Sequence, residues 1–164
     1  MKIKIEKNVK KTQMLCAFVQ EGSDKPLGLK NFDVKTNSSI KQSVLDLNGK
    51  LGKLSIVPVP NSKQVERILL AGIGNKKEIT KDTIRLVSGK ISQKARDLKL
   101  KGFTIIVPPS SFNDQADSIS QIVEGSKMSL YMFDKFKAKK SEKSPDLILL
   151  ANKSKKTLSI TKIS

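Results

Sequence analysis

The sequence contains no His, no Trp, one Cys, one Tyr and only three arginines, Arg67, Arg85 and Arg96. Without His there is no Ser-His-Asp or Cys-His nucleophile machinery and no imidazole metal ligand. A single Cys excludes an internal disulfide and a thiolate metal cluster. Cys16 sits in the apolar run MLCAFV and reads as a small buried hydrophobe rather than a nucleophile. Six Phe plus Tyr131 are a poor supply of stacking surfaces for single-stranded nucleic acid. Long apolar runs are also missing. Ile68 to Ile73 and Leu147 to Ala151 fall far below the roughly 18 residues of a membrane-spanning helix. The N-terminus, MKIKIEKNVKK, has charge but no apolar stretch behind it to make a signal peptide. The expectation is a cytoplasmic chain with no membrane partner.

What is abundant is lysine. Lys plus Arg total 32 against 15 acids, a formal charge of +17 over 164 residues. That length makes one domain, residues 1–164, which buries roughly two-thirds of its unfolded surface without a staple. The charge permits a polyanion partner. The shortage of Arg, the residue suited to bidentate reading of phosphate and guanine, argues against a specific one. The lysines are spread along the chain, densest at Lys10-Lys11, Lys76-Lys77, Lys135 to Lys143 and Lys153 to Lys156. They read as a solvated surface, with weak nonspecific polyanion binding that fades with salt.

The periodicities predict alternating strands and helices. Strands are expected over Met1–Glu6, Met14–Val19, Lys53–Val59, Val65–Ile73, Phe103–Val107, Asp146–Ala151 and Thr157–Ile163. Asn37–Leu47 places Ile40, Val44 and Leu47 at helical spacing and ends at Asn48-Gly49. A second helix opens at Thr80, with the stripe Ile84, Val87, Ile91, Ala95 and Leu98. Gly89 within it marks close packing. A third is capped by Asn113 or Asp114, with the stripe Ala116, Ile119, Val123, Ser126 and Leu130. Its Gly125 is a place for a sheet to approach. Phe133–Lys143 is a charged exit. The pattern predicts an α/β fold with a mixed sheet between helical layers.

The residues alone offer little chemistry. Ala71–Asn75, AGIGN, follows a strong strand and could turn amides toward a phosphate. It lacks both the dinucleotide fingerprint and the Lys-Ser/Thr ending of a P-loop, so a tight structural turn is the plainer reading. Asp33, Asp46, Asp82, Asp114, Asp117 and Asp134 make no metal-like spacing and lie mostly at caps or exposed faces. Ser110-Ser111 has no base to activate a hydroxyl.

Two stretches carry a resemblance. VERILLAGIGNKKEITKDTIRLVSGKISQKARDLKLKGFTIIVP, residues 65–108, has a strand ending in Gly-x-Gly, a helix, and a strand closed by Pro. EGSKMSLYMFDKFKAKK, residues 124–140, has Glu124-Gly125 followed by Tyr131, Phe133, Asp134, Lys135, Phe136 and Lys137, with Phe136 in place of the commoner Tyr. Together with the turn NGKLGK, Asn48–Lys53, they resemble the N-terminal domain of the leucyl aminopeptidase (cytosol aminopeptidase) family.

The resemblance implies a macro-domain-like three-layer α/β/α sandwich. It implies a parent enzyme that removes N-terminal residues from peptides, works as a homo-hexamer and uses two divalent metals, zinc or manganese. In that family the metals, the catalytic Lys and Arg and an Asn-Thr-Asp-x-Glu-Gly-Arg loop belong to a C-terminal catalytic domain. No such loop occurs here, so no catalytic, cofactor-binding or metal residue carries over, and about 144–164 is expected to lead toward that absent domain. The expected partners are that domain and sister subunits. Two alternatives stay open: a stand-alone nucleotide or ADP-ribose module using Ala71–Asn75, and a nucleic-acid accessory protein motivated by the charge.

Overall fold

The computed structural model describes residues 1–29, 38–135 and 143–151. Six strands form one sheet: β1 (Ile3–Glu6), β2 (Leu15–Val19), β3 (Leu54–Pro58), β4 (Arg67–Gly72), β5 (Gly102–Ile106) and β6 (Asp146–Leu150). Three α-helices join them: α1 (Ser38–Leu47), α2 (Lys81–Asp97) and α3 (Gln115–Lys135). The strand order is β1-β6-β5-β2-β4-β3. Every neighbouring pair is parallel except β3 with β4, which is antiparallel, so the sheet is mixed.

The alternation of side chains across the sheet divides the core in two. Cys16, Phe18, Leu69, Ala71, Phe103, Ile105, Leu147 and Leu149 face α2 and α3. Leu15, Ala17, Val19, Ile68, Leu70, Ile106 and Leu150 pack with Ile40, Val44 and Leu47 of α1. Both faces of the central strands are therefore apolar, which explains why β2 and β4 read as continuous hydrophobic runs rather than alternating ones. The layers are α1, sheet, and the α2/α3 pair.

The helices start where their side chains allow. Thr80 caps α2 through a capping box: its Oγ1 accepts from the Thr83 amide at 3.3 Å, and Thr83 Oγ1 accepts from the Thr80 amide at 3.1 Å. Asp114 rather than Asn113 caps α3, its Oδ1 accepting from the Ala116 and Asp117 amides at 2.9 and 3.1 Å. Helix α3 runs on to Lys135, so the charged exit expected from Phe133 begins inside the helix. The strand expected over Thr157–Ile163 lies outside the described residues.

Gly125 does not receive a sheet. It lies against α2, and a Cβ there would collide with the Arg85 carbonyl group, while Gly89 on α2 faces the Gly125 carbonyl. The two glycines let the helix backbones approach side by side. The interior stripe of α3 still points at the sheet, so the small residue serves the neighbouring helix instead.

Candidate functional site

The place where an open parallel sheet offers a crevice is the carboxyl end of the strands, at the point where the connections change direction. Here that point is beside β2, between β4 and β5. It is filled by the chain itself. The turn Asn48–Lys53 folds over the end of β4, with Gly49 pressed on the main chain of Gln20 and Glu21, and Gly72 pressed on the Lys50 carbonyl. The Gly72 amide donates to Lys53 O at 2.9 Å, the Ile73 amide to Val19 O at 3.0 Å and the Gly74 amide to Gly49 O at 2.8 Å. Gly28, from the loop after β2, packs on Ile106 and Pro109 at the end of β5.

These three amides of the Ala71–Asn75 turn are bound to carbonyls and do not point at a phosphate. The Asn75 side chain is also engaged, accepting from the Lys77 amide at 3.1 Å to cap a 3-10 turn at Lys76–Glu78. The Gly-x-Gly segment and the NGKLGK turn, two separate features of the sequence, are thus one interlocked structure. Sequence reasoning missed the pairing because a glycine announces room for a neighbour without naming the neighbour.

The acidic residues are dispersed. Asp46 accepts from Gln42 on the surface of α1 at 2.8 Å. Asp82 lies 3.2 Å from Arg85 Nη1, and Asp117 lies 3.5 Å from Lys81 Nζ. Asp33 lies outside the described residues, and the structure describes Asp134 only as part of the α3 backbone. Among the described residues, no three Cys, Asp or Glu side chains converge as a metal group would require. The described residues therefore offer no carboxylate set for a pair of divalent metals. Ser110 and Ser111 are exposed in the turn after Pro108-Pro109. Cys16 is fully buried, and burial pushes its thiol pKa well above the ordinary value, which keeps it from reacting as a thiolate. Among the described residues, no helix is long and apolar enough to cross a membrane.

The second family-like stretch also serves packing. Glu124 reaches Arg85 Nε at 3.3 Å, and Gln121 Oε1 accepts from Nε and Nη2 at 3.2 and 3.1 Å, so one guanidinium ties α2 to α3. Above the close approach of Gly89 and Gly125 lies a groove of about 680 Å³. Its walls include Leu51, Leu86 and Met128, respectively 54, 53 and 54% exposed. Tyr131, 68% exposed, follows Met128 on α3. Phe136 and Lys137 lie outside the described residues.

The sequence matches the N-terminal domain of the cytosol aminopeptidase family over residues 17–140. The chain belongs to that family. It is 37% identical over 141 residues to a probable cytosol aminopeptidase of Cenarchaeum symbiosum, covering 86% of this chain and 28% of the relative. A probable cytosol aminopeptidase of Aquifex aeolicus is 27% identical over 132 residues, covering 80% of this chain and 26% of the relative. This family chain thus spans little more than a quarter of the length of those two relatives. A mutant of tomato leucine aminopeptidase superposes with a TM-score of 0.68 at 16% identity, over 98% of this chain and 34% of the other. The bottromycin maturation enzyme BotP gives 0.61 at 12%, over 92% and 29%. At such identities these two show the shared fold alone.

Proposed function

We propose that this chain is the non-catalytic N-terminal module of a metal-dependent aminopeptidase, which removes N-terminal residues from peptides in the cytoplasm. The observation that carries the reading is the family match over residues 17–140 in relatives more than three times as long. The motif residues support it, because Gly72, Gly74, Glu124 and Gly125 build the fold instead of presenting reactive groups. Peptide hydrolysis by a metal pair needs carboxylates converging on the ions to polarise a carbonyl and activate water. In this reading those groups, and the zinc or manganese they hold, belong to a further domain reached through about residues 144–164. BotP has been solved in complex with Mn, which fits a metal-dependent parent.

The module's own work is then to present surfaces. The Leu51, Leu86 and Met128 groove is apolar enough to meet the catalytic domain of the longer chain, with sister subunits of a homo-hexamer as further contacts. The three layers and mixed sheet support a macro-like description of the fold. The experiment is a direct comparison. The 164-residue chain, purified and supplied with zinc or manganese, is expected to leave a leucine-amide substrate intact, while the same residues within the full reading frame hydrolyse it. Hydrolysis by the short chain would overturn the non-catalytic reading. A full reading frame without a metal-binding domain would overturn the aminopeptidase reading.

A further inference from the structure

At the opposite end of the sheet, where the parallel strands begin, the fold brings Lys143 beside Arg96, Lys99 and Lys101. A cleft of about 470 Å³ lies between the end of α2 and the starts of β5 and β6. Arg96, Lys99, Lys101 and Lys143 line it together with the carboxylate of Asp146, and Asp97 pairs with Arg96 beside it. The Asp146 carboxylate is already engaged, its Oδ1 accepting from the Lys2 amide at 2.8 Å.

We propose that this cleft binds a short chain of condensed phosphates, the chemistry shared by inorganic oligophosphates and the triphosphate of a nucleotide. Three observations carry it. First, four basic residues line one concave space of ligand size, which suits adjoining phosphoryl groups. A nucleic-acid duplex spreads its phosphates along a rod and matches a stripe or a broad face instead.

Second, the main chain itself closes part of the helix end beside the cleft. The last carbonyls of α2 are closed by a Schellman arrangement, with the Leu100 amide donating to Ala95 O at 3.0 Å and the Lys99 amide to Arg96 O at 2.8 Å. The Ala95 and Arg96 carbonyls therefore have main-chain donors. Arg96 is held in place by Asp97, to which its Nε and Nη2 donate at 3.0 and 2.8 Å.

Third, Lys99 itself sits at φ +54°, the left-handed position that glycine usually takes in this motif. A bulky side chain there costs about 1 kcal/mol, and such costs concentrate where a side chain is used. Here that residue lines the cleft.

The inference does not depend on the aminopeptidase reading. Its test is calorimetric titration of the chain with tripolyphosphate, orthophosphate, ATP and a short DNA duplex, at about 50 and about 300 mM salt. Two triple variants have the same charge loss: Lys99→Gln/Lys101→Gln/Lys143→Gln in the cleft, and Lys41→Gln/Lys50→Gln/Lys76→Gln at exposed positions elsewhere. Tripolyphosphate is expected to bind at least about tenfold tighter than orthophosphate. The cleft variant is expected to lose about tenfold or more and the other less than about threefold, with both weakening at higher salt. ATP equal to tripolyphosphate would identify the phosphate chain alone as the ligand, and ATP binding tighter would point to a nucleotide. Equal losses in the two variants would reduce the effect to net charge and overturn the site. So would equal affinity for orthophosphate and tripolyphosphate, or a duplex that binds tighter through the same three lysines.

Discussion

Gly125 of α3 lies directly against the Arg85 carbonyl of α2, so close that a methyl group on the glycine would overlap that carbonyl. Gly89 faces back across the same seam with more room: a Cβ there would be 3.3 Å from the Gly125 oxygen and 3.4 Å from Ser129 Cβ. The two glycines therefore differ in what they tolerate. Gly125→Ala is expected to destabilise the chain by about 2 kcal/mol or more, because helix backbones must part to admit the methyl group. Gly89→Ala is expected to stay within about 1 kcal/mol of the parent, its tight contact offset by better helix propensity. Urea unfolding of both variants decides it, and equal losses would contradict the asymmetry.

The turn over β4 makes a second contrast. Gly49 has φ +58° and is pressed on the Gln20–Glu21 main chain, whereas Gly22 has φ +75° with open space around its missing side chain. Gly22→Ala should pay only the left-handed backbone penalty, about 1 kcal/mol. Gly49→Ala should cost about 3 kcal/mol or more, since the clash is with the Gln20–Glu21 backbone and displaces Gly49, whose carbonyl accepts from the Gly74 amide. Amide hydrogen exchange at Gly74 should accelerate in the second variant and not in the first.

Cys16 is an internal gauge of opening. Its thiol should react with a disulfide reagent only when the chain unfolds locally or globally, at a rate set by that opening rather than by reagent access. Burial raises the folded pKa, so above about pH 8.5 the unfolded chain releases a proton that the folded chain keeps. Stability contributed below that pH is therefore lost as pH rises, with a limiting slope of about 1.4 kcal/mol per unit. Cys16→Ala should lack this loss, so its stability deficit relative to the parent should shrink between about pH 8.5 and about pH 10. A constant deficit across that window would count against a buried, protonated thiol.

Lys99 couples stability to the cleft. Lys99→Gly is expected to raise stability by about 0.5–1 kcal/mol by relieving the left-handed strain. The same change should weaken tripolyphosphate binding. A variant that gains stability and keeps full binding would separate Lys99 from the cleft.

Much of the element order was legible in the residues. Ile84, Val87, Ile91 and Ala95 recur at helical spacing because only that period keeps them on one side of α2, and all four are buried against the sheet. The capping preferences of Thr80 and Asp114 are local chemistry, decided by side-chain oxygens within three residues of the amides they accept from. The absence of His from the whole chain was likewise plain, and with it the loss of imidazole chemistry. The family resemblance rests on a longer pattern: Gly72 and Gly74, the turn Asn48–Lys53, and Glu124-Gly125 followed by Tyr131, Phe133, Asp134, Lys135, Phe136 and Lys137.

What these residues do was decided by tertiary structure. Gly49 and Gly74 are 25 positions apart, and their hydrogen bond joins main-chain atoms that every residue possesses, so no side-chain pattern predicts it. Gly125 could equally have admitted a strand or a helix, and only the packing of α3 beside α2 chose the helix. Along the sequence the lysines are spread over the whole chain with a few denser knots. The parallel strands begin at one end of the sheet, so Lys99, Lys101 and Lys143 meet there around one cleft. Local propensity and periodicity act over a few residues and can be read from sequence. Convergence depends on which strands lie side by side, and that is settled only when the whole core is buried.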